Sequence, residues 1–211
     1  MPRLPFLLIT ALAAVPAFGD VLYTNGAVNG FADAFFVSTS FIVSDSFTLS
    51  QDSTVVGVTN IGIWVAEGGT PTSFDWTIST DQLGGGTVLA SGSGFDTSTE
   101  LIADNGTGGN RAHDAVWAVG FSLNNVTFDA GTYWLTLANA TGTNAVRWDA
   151  TVGPSSAVDE HVGSGTISIV SESFEIDGPD IGTPEPASYL LLAFGLAAVF
   201  VLKSSRMRLS K

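Results

Sequence analysis

The chain has 211 residues, of which 13% are charged and 45% hydrophobic, so its composition suits one globular domain and excludes a disordered chain or a coiled coil. Asp and Glu outnumber Lys and Arg by 20 to 7, and the resulting net charge of −13 excludes a surface that binds nucleic acid phosphates. The chain contains no Cys, which excludes disulfide bonds, thiolate metal ligands and cysteine catalysis.

The N-terminal segment, residues 1–19, has the features of a secretory signal peptide. Arg3 precedes a short run of apolar residues, and Ala17 and Gly19 occupy the two small-residue positions of a signal-peptidase site. We therefore predict a signal helix that signal peptidase removes by cutting between Gly19 and Asp20. Cleavage after Ala17 is the alternative.

Residues 20–183 form one predicted domain, which is more acidic than the whole chain. Its two basic residues, Arg111 and Arg147, stand against 19 carboxylates, a net charge of −17. The other basic residues of the chain lie in the terminal segments. An exported form made of this domain would therefore repel anionic partners over most of its surface.

Alternation of apolar and polar residues predicts that this domain consists of strands. Phe74, Trp76 and Ile78, for example, share one face of a strand whose other face is polar. Turns rich in Gly, Asn and Asp separate such segments, and no segment has helical periodicity. The predicted strands comprise residues 35–43, 46–49, 55–65, 72–79, 87–90, 117–123, 133–137, 145–148 and 166–176. We predict an all-β fold, an antiparallel β-sandwich that is jelly-roll-like and has about eight to ten strands.

The segment 55–65 has apolar residues on both faces of the predicted strand. Either the strand is central and covered on both sides, or a bulge near Gly57 or Gly62 shifts its phase. The sequence leaves both interpretations open.

Two of the five tryptophans are candidate glycan contacts, because exposed indole rings stack on sugar rings. Alternation places Trp76 and Trp117 among core residues. Trp134 instead shares its face with threonines, and Trp148 lies between an arginine and an aspartate. Trp134 and Trp148 are therefore candidates for exposed rings that contact a glycan, and the alternative is ordinary packing or an edge position.

Acidic, Gly-rich loops make a structural calcium ion the candidate cofactor, since calcium prefers clustered oxygen ligands on turns. The candidate ligands are Asp104 in the loop 104–110 and Asp177 and Asp180 in the loop 177–180. Neither of these two loops has EF-hand spacing. The alternative is that these loops are solvated turns without a metal ion, and no other cofactor is expected.

Enzymatic activity is not expected. The G-x-S-x-G motif of serine hydrolases is absent, and His113 and His161 have neither metal-ligand spacing nor a nucleophile motif beside them. A glycoside hydrolase requires two carboxylates across a sugar bond, which the sequence neither singles out nor excludes.

The C-terminal segment combines an apolar run with a basic tail. Residues 187–202 contain no charge and span about 24 Å as a helix, enough for a short transmembrane helix. Four basic residues follow this run, and by the positive-inside rule they stay in the cytoplasm while the preceding domain is exported. They are Lys203, Arg206, Arg208 and Lys211.

Pro184, Glu185 and Pro186 precede this helix and hold the backbone extended, a conformation that a protease can bind. The order of these three residues, apolar helix and basic terminus resembles the PEP-CTERM sorting signal of Gram-negative exported proteins. The resemblance covers residues 184–211 and implies recognition and cleavage by an exosortase at the inner membrane. A plain C-terminal anchor is one alternative, and a GPI signal is another, although a GPI signal ends in its hydrophobic tail.

The central region also resembles a group of PEP-CTERM proteins that have no assigned activity. That resemblance implies a shared β-sandwich and a surface location, but no reaction. The segments that carry it include Ser44-Asp45-Ser46-Phe47, Gly62-Ile63-Trp64, Gly131-Thr132-Tyr133-Trp134-Leu135-Thr136-Leu137 and Ser171-Glu172-Ser173-Phe174.

We therefore predict an exported, non-enzymatic protein of the cell surface or extracellular matrix, anchored in the inner membrane by its C-terminal helix until processing. Signal peptidase and an exosortase are its expected processing partners. One alternative is a carbohydrate-binding or calcium-stabilised adhesive module that binds extracellular polysaccharide. Another is a polysaccharide hydrolase.

Overall fold

The computed structural model describes residues 19–30, 33–104 and 113–179. The described residues fold into two antiparallel sheets, which confirms the predicted all-β class. The strands of sheet I are β1 (Val21–Thr24), β2 (Ala34–Phe36), β4 (Ser53–Val65), β7 (Thr97–Ile102), β8 (Ala115–Phe128), β10 (Val146–Asp149) and β13 (Glu175–Asp177). The strands of sheet II are β3 (Phe41–Leu49), β5 (Pro71–Ser79), β6 (Val88–Ser93), β9 (Gly131–Gly142), β11 (Ala157–His161) and β12 (Gly165–Ile169).

Strand β4 is the centre of sheet I. Its one edge pairs with β8, which in turn pairs with β7. Its other edge pairs with β13 near one end and with β10 near the other, and these strands pair with β1 and β2. Sheet II has the order β12-β11-β3-β9-β5-β6. Two single-turn 3₁₀ helices, Ala66–Gly68 and Gln82–Gly84, interrupt the connections.

The core consists of apolar side chains from both sheets, and the predicted alternation of β5 is confirmed. Phe74, Trp76 and Ile78 are all buried in the main core cluster. Trp76 stacks on Phe121 of the opposite sheet, with ring centroids 4.0 Å apart. Such a contact joins the two sheets because an aromatic ring buries a large apolar area.

Both interpretations of the two-sided strand β4 are correct, each in its own part of the strand. The register with β8 shifts between Val55 and Gly57, so a bulge lies near one of the two predicted glycines. Further along, Trp64 packs on the other face of the strand in a second small cluster with Ala34 and Val116. The strand is therefore bulged at one end and covered on both faces at the other.

The structure differs from the predicted strands in three ways. The break expected after residue 43 lies earlier, where Thr39 and Ser40 have positive φ, and β3 continues through the buried Asp45. The single strand predicted over 166–176 is two strands in different sheets, β12 and β13. The prediction also missed β1, β7 and β11, which are short or carry little apolar alternation, so the described residues contain 13 strands rather than eight to ten.

The predicted terminal helices lie outside the described residues. The same holds for Pro184, Glu185, Pro186 and the basic tail. Within the described ranges, no helix has the length and apolar character needed to cross a membrane.

Candidate functional site: a groove on sheet I

Sheet I carries a groove on the face that points away from the core. Val58, Val119 and Ile176 are buried on the inner face, so their strand neighbours, such as Thr59 and Gly120, point outwards. Two adjoining cavities of about 230 and 520 Å³ share several lining residues and form this groove. The lining contains Gly57 and Thr59 of β4, Thr97 and Thr99 of β7, Ala118 and Gly120 of β8, and Glu175 and Asp177 of β13.

The floor of the groove is formed by residues with little or no side chain. A Cβ atom on Gly120 would lie 2.9 Å from the carbonyl oxygen of Val58, and one on Gly57 would lie 3.0 Å from that of Phe121. Both positions therefore exclude a side chain, which leaves the strand backbone open to a ligand.

Three carboxylates border the groove. Asp96 Oδ2 accepts a hydrogen bond of 2.6 Å from the backbone N–H of Ser122, and Glu175 Oε2 accepts one of 2.6 Å from Asn60 Nδ2. Burial raises the pKa of Asp177, a hydrogen bond from Thr59 lowers it, and the charge of Glu175 raises it again. The lining residues include no Lys, Arg or His, so the groove combines negative charge with threonine hydroxyls.

Asp96 and Asp177 lie on opposite sides of the groove, and both line its smaller cavity. The backbone N–H of Asp96 donates a hydrogen bond to the carbonyl oxygen of Gly120 in β8. Asp177 is the register partner of Gly57 in β4, on the far side of the groove. Two strands thus separate them, a backbone spacing of about 14 Å at 4.8 Å per strand.

The two predicted glycan-contacting tryptophans do not share a surface. Trp134 is half-buried in β9 of sheet II, with Ser46 and Ser79 as its cross-strand partners. Trp148 is in β10 of sheet I with 0% exposure, and its Nε1 donates a hydrogen bond of 2.9 Å to the carbonyl oxygen of Ser173. Of the two alternatives for Trp148, exposure is wrong and packing is correct: its ring lies in the core, and its neighbours Arg147 and Asp149 are themselves buried. Trp134 stays a candidate contact.

The candidate calcium ligands do not come together either. Asp104 is exposed and pairs with His113 Nδ1 at 2.7 Å, which raises the pKa of that histidine. Asp177 lies in the groove, and Asp180 lies outside the described residues. No group of three His, Asp or Glu residues in the described part of the chain is placed to hold a metal ion.

Sequence reasoning did not identify two sets of buried polar contacts, one around Asp45 between the two sheets and one around Asp149 within sheet I. Asp45 Oδ2 accepts hydrogen bonds of 2.6 Å from Asn25 Nδ2 and from the backbone N–H of Glu172, while burial raises the pKa of Asp45 to about 6. Asp149 Oδ1 accepts a hydrogen bond of 2.6 Å from Trp64 Nε1, and burial raises the pKa of Asp149 as well. The sequence signal for the contacts of Asp45 is the similarity between Ser44-Asp45-Ser46-Phe47 and Ser171-Glu172-Ser173-Phe174.

Arg147, one of two basic residues in the predicted domain, is also buried. Its Nη1 donates a hydrogen bond of 2.7 Å to Asp114 Oδ2, and its guanidinium lies 4.4 Å from the ring centroid of Phe36. It therefore offers no positive charge to a ligand.

Comparison with known proteins identifies the C-terminal segment. Residues 183–206 match the model of the PEP-CTERM protein-sorting motif, which confirms the resemblance to PEP-CTERM exported proteins. The match includes the Pro-Glu-Pro residues and implies export and processing by an exosortase. Neither the curated proteins nor the solved structures contain a significant match to the chain.

Proposed function

We propose that the protein is a non-enzymatic component of the cell surface or extracellular matrix whose β-sandwich binds a neutral polysaccharide in the groove on sheet I. The sorting motif at residues 183–206 supports the location. The groove supports the binding activity. In this proposal, signal peptidase removes residues 1–19, including Gly19 at the border of both cavities, so that Gly19 does not line the groove of the exported protein. The C-terminal helix anchors the protein until an exosortase cuts near Pro184.

The chemistry of the groove favours a neutral glycan. Carboxylates and threonine hydroxyls accept hydrogen bonds from sugar hydroxyl groups, and the glycine floor lets a flat sugar ring approach the backbone closely. An acidic polysaccharide would instead be repelled by Asp96, Glu175 and Asp177.

The binding proposal is tested by blocking the groove with a large side chain. We expect the Ala118→Trp variant to lose retention on neutral polysaccharide columns, because Ala118 lies on the floor of the larger cavity. The matched control is Ala138→Trp, another half-buried alanine in a long strand, but of sheet II. Equal retention of both variants and the wild type would refute the groove as the binding site.

The sorting proposal is tested by mass spectrometry of the protein exported from its native host. We expect an N-terminus at Asp20 and loss of the segment after the Pro-Glu-Pro residues. Replacement of Pro184 and Pro186 by Ala should leave the C-terminal segment attached. Intact residues 196–211 in all exported wild-type material would contradict processing.

A polysaccharide hydrolase is the second candidate, because Asp96 and Asp177 lie on opposite sides of one groove. A hydrolase predicts that Asp177→Asn abolishes release of reducing ends while binding persists. Absence of reducing-end release by the wild-type protein from every polysaccharide that it retains would leave binding as the function.

A further inference from the structure

Strand β12 forms an open edge of sheet II. Within the described ranges it pairs with β11 alone, over five residue pairs without a register shift. Four of its five residues are exposed and Ile169 is half-buried, so both faces of the strand are open to solvent. An edge of this kind presents unpaired backbone N–H and C=O groups to another strand.

The surface around β12 is unusually apolar. The described residues include seven large hydrophobic side chains that are at least half exposed, and three of them belong to this hairpin and its exit: Val162 at 57%, Ile167 at 59% and Val170 at 54%. Each of these side chains retains an unfavourable apolar contact with water that a partner would remove.

The same segment carries no charge. Residues 162–171 contain neither acidic nor basic side chains, although the predicted domain has a net charge of −17. By contrast, the edge strand β7 of sheet I includes Glu100, and β1 directly follows Asp20. Charge, proline and bulges are the usual features that keep an edge strand from pairing, and β12 has none of them.

The opposite edge of sheet II differs from β12. Strand β6 is also uncharged and exposes Val88 at 51%, but its register with β5 shifts between Ile78 and Ser79. Leu89 and Ala90 of β6 pack against the main core. Strand β6 is therefore bulged and partly covered, whereas β12 is regular and open.

We propose that β12 pairs antiparallel with β12 of a second copy of this chain, about a two-fold axis at Ile167. This register places Ile167 opposite Ile167 and Thr166 opposite Ser168. Apolar side chains therefore contact apolar side chains, and hydroxyl side chains contact hydroxyl side chains. Sheet II then continues from one copy into the other.

The distribution of charge makes a second copy an acceptable partner. The acidic residues Asp159 and Glu160, which pair with Ile167 and Thr166, lie one strand behind the interface in β11. Across the dimer, the two copies of β11 are three strand spacings apart, about 14 Å, which exceeds the screening length of about 8 Å at physiological ionic strength. The strongly acidic domains can therefore meet at this edge without close repulsion.

Cysteine cross-linking tests the register directly, because the chain has no Cys of its own. In the full-length protein in mild detergent, we expect Ile167→Cys to form a disulfide-linked dimer under mild oxidation, since opposed residues of an antiparallel pair have Cα atoms about 4.5–5.5 Å apart. The control is Val88→Cys, with similar exposure on the other edge of the same sheet. Equal cross-linking of the two variants, or none with Ile167→Cys, would overturn the proposal.

Sedimentation of the same protein gives an independent test. We expect the wild type and Val88→Lys to sediment as dimers, and Ile167→Lys to sediment at half that mass with an unchanged circular dichroism spectrum. A wild type that is monomeric at every concentration refutes the two-fold pairing, even if β12 captures a strand of another exported protein.

Discussion

The backbone N–H of Glu172 donates a hydrogen bond of 2.6 Å to Asp45 Oδ2, and both residues have 0% exposure. Asp45 belongs to β3 of sheet II, whereas Glu172 forms a bridge with Ala150 beyond the end of β10 in sheet I. A buried carboxylate therefore links the two sheets at a place where the core is polar.

Replacement of Asp45 by Ala should destabilise the fold strongly. The substitution leaves the side-chain amide of Asn25 and the backbone N–H of Glu172 without this acceptor in a buried site, at a cost of about 2–4 kcal/mol. Urea unfolding measures the loss. The control is Asp75→Ala, since Asp75 accepts hydrogen bonds from Ser93 and Asn139 at the surface and should change the unfolding free energy much less. Equal losses would contradict the assigned role of Asp45.

The stability contributed by Asp45 should depend on pH in the direction opposite to that of a salt-bridged carboxylate. The folded state raises the pKa of Asp45 from 3.8 to about 6, so it binds the proton more tightly than the unfolded chain does. This contribution is complete below about pH 4 and is lost as the pH rises through 6, by at most about 3 kcal/mol.

The variant Asp45→Asn isolates this dependence, because it resembles the protonated side chain at every pH. We expect the difference in unfolding free energy between wild type and variant to shift in favour of the variant from pH 4 to pH 7. If the difference in unfolding free energy is constant over this interval, burial does not raise the pKa of Asp45.

The two candidate tryptophans should differ in their effect on stability. Trp148→Ala removes a fully buried indole and its hydrogen bond to Ser173, which should cost about 3–5 kcal/mol. Trp134→Ala removes a half-buried ring from the surface of sheet II and should cost less than half as much. Thermal unfolding of both variants checks this order.

The variant Trp134→Ala also tests the binding site. If the glycan affinity falls in this variant while the groove variant Ala118→Trp binds normally, the binding site lies on sheet II.

The ion pair of Arg147 and Asp114 should matter far more than that of His113 and Asp104, although both measure 2.7 Å. Arg147→Met leaves the Asp114 carboxylate in a buried site without its guanidinium, for which we expect a loss of about 3–5 kcal/mol. His113→Ala should change the unfolding free energy little, because water and salt screen an exposed pair. Chemical denaturation compares the two variants, and similar losses would contradict the effect of burial.

Period-two alternation was sufficient to predict the strands whose two faces meet different environments. Phe74, Trp76 and Ile78 of β5 follow this rule because one face of sheet II meets the core and the other meets water. The rule failed where both faces have the same environment. Both faces of strand β12 meet water, so burial does not distinguish one face from the other. The prediction therefore merged β12 with β13, which lies in the other sheet.

Buried residues at or beside charged positions are a second source of wrong predictions. Asp45 and Trp148 both have 0% exposure, although the sequence predicts a strand break at the first and allows surface exposure of the second, because charged residues lie at or beside them. A carboxylate is buried only where donors such as Asn25 Nδ2 satisfy it, and those donors come from distant parts of the chain.

The chain's class, its strong negative charge and its sorting motif follow from the amino acid sequence alone. Composition, two-residue periodicity and the contiguous motif at residues 183–206 are local properties, which need no knowledge of the fold. The groove bordered by Asp96 and Asp177, the burial of Arg147 and the open edge at β12 depended on the tertiary structure. Each of them arises from the pairing of strands far apart in the chain, and the order of strands in a sheet is decided by packing between distant segments rather than by local residue pattern.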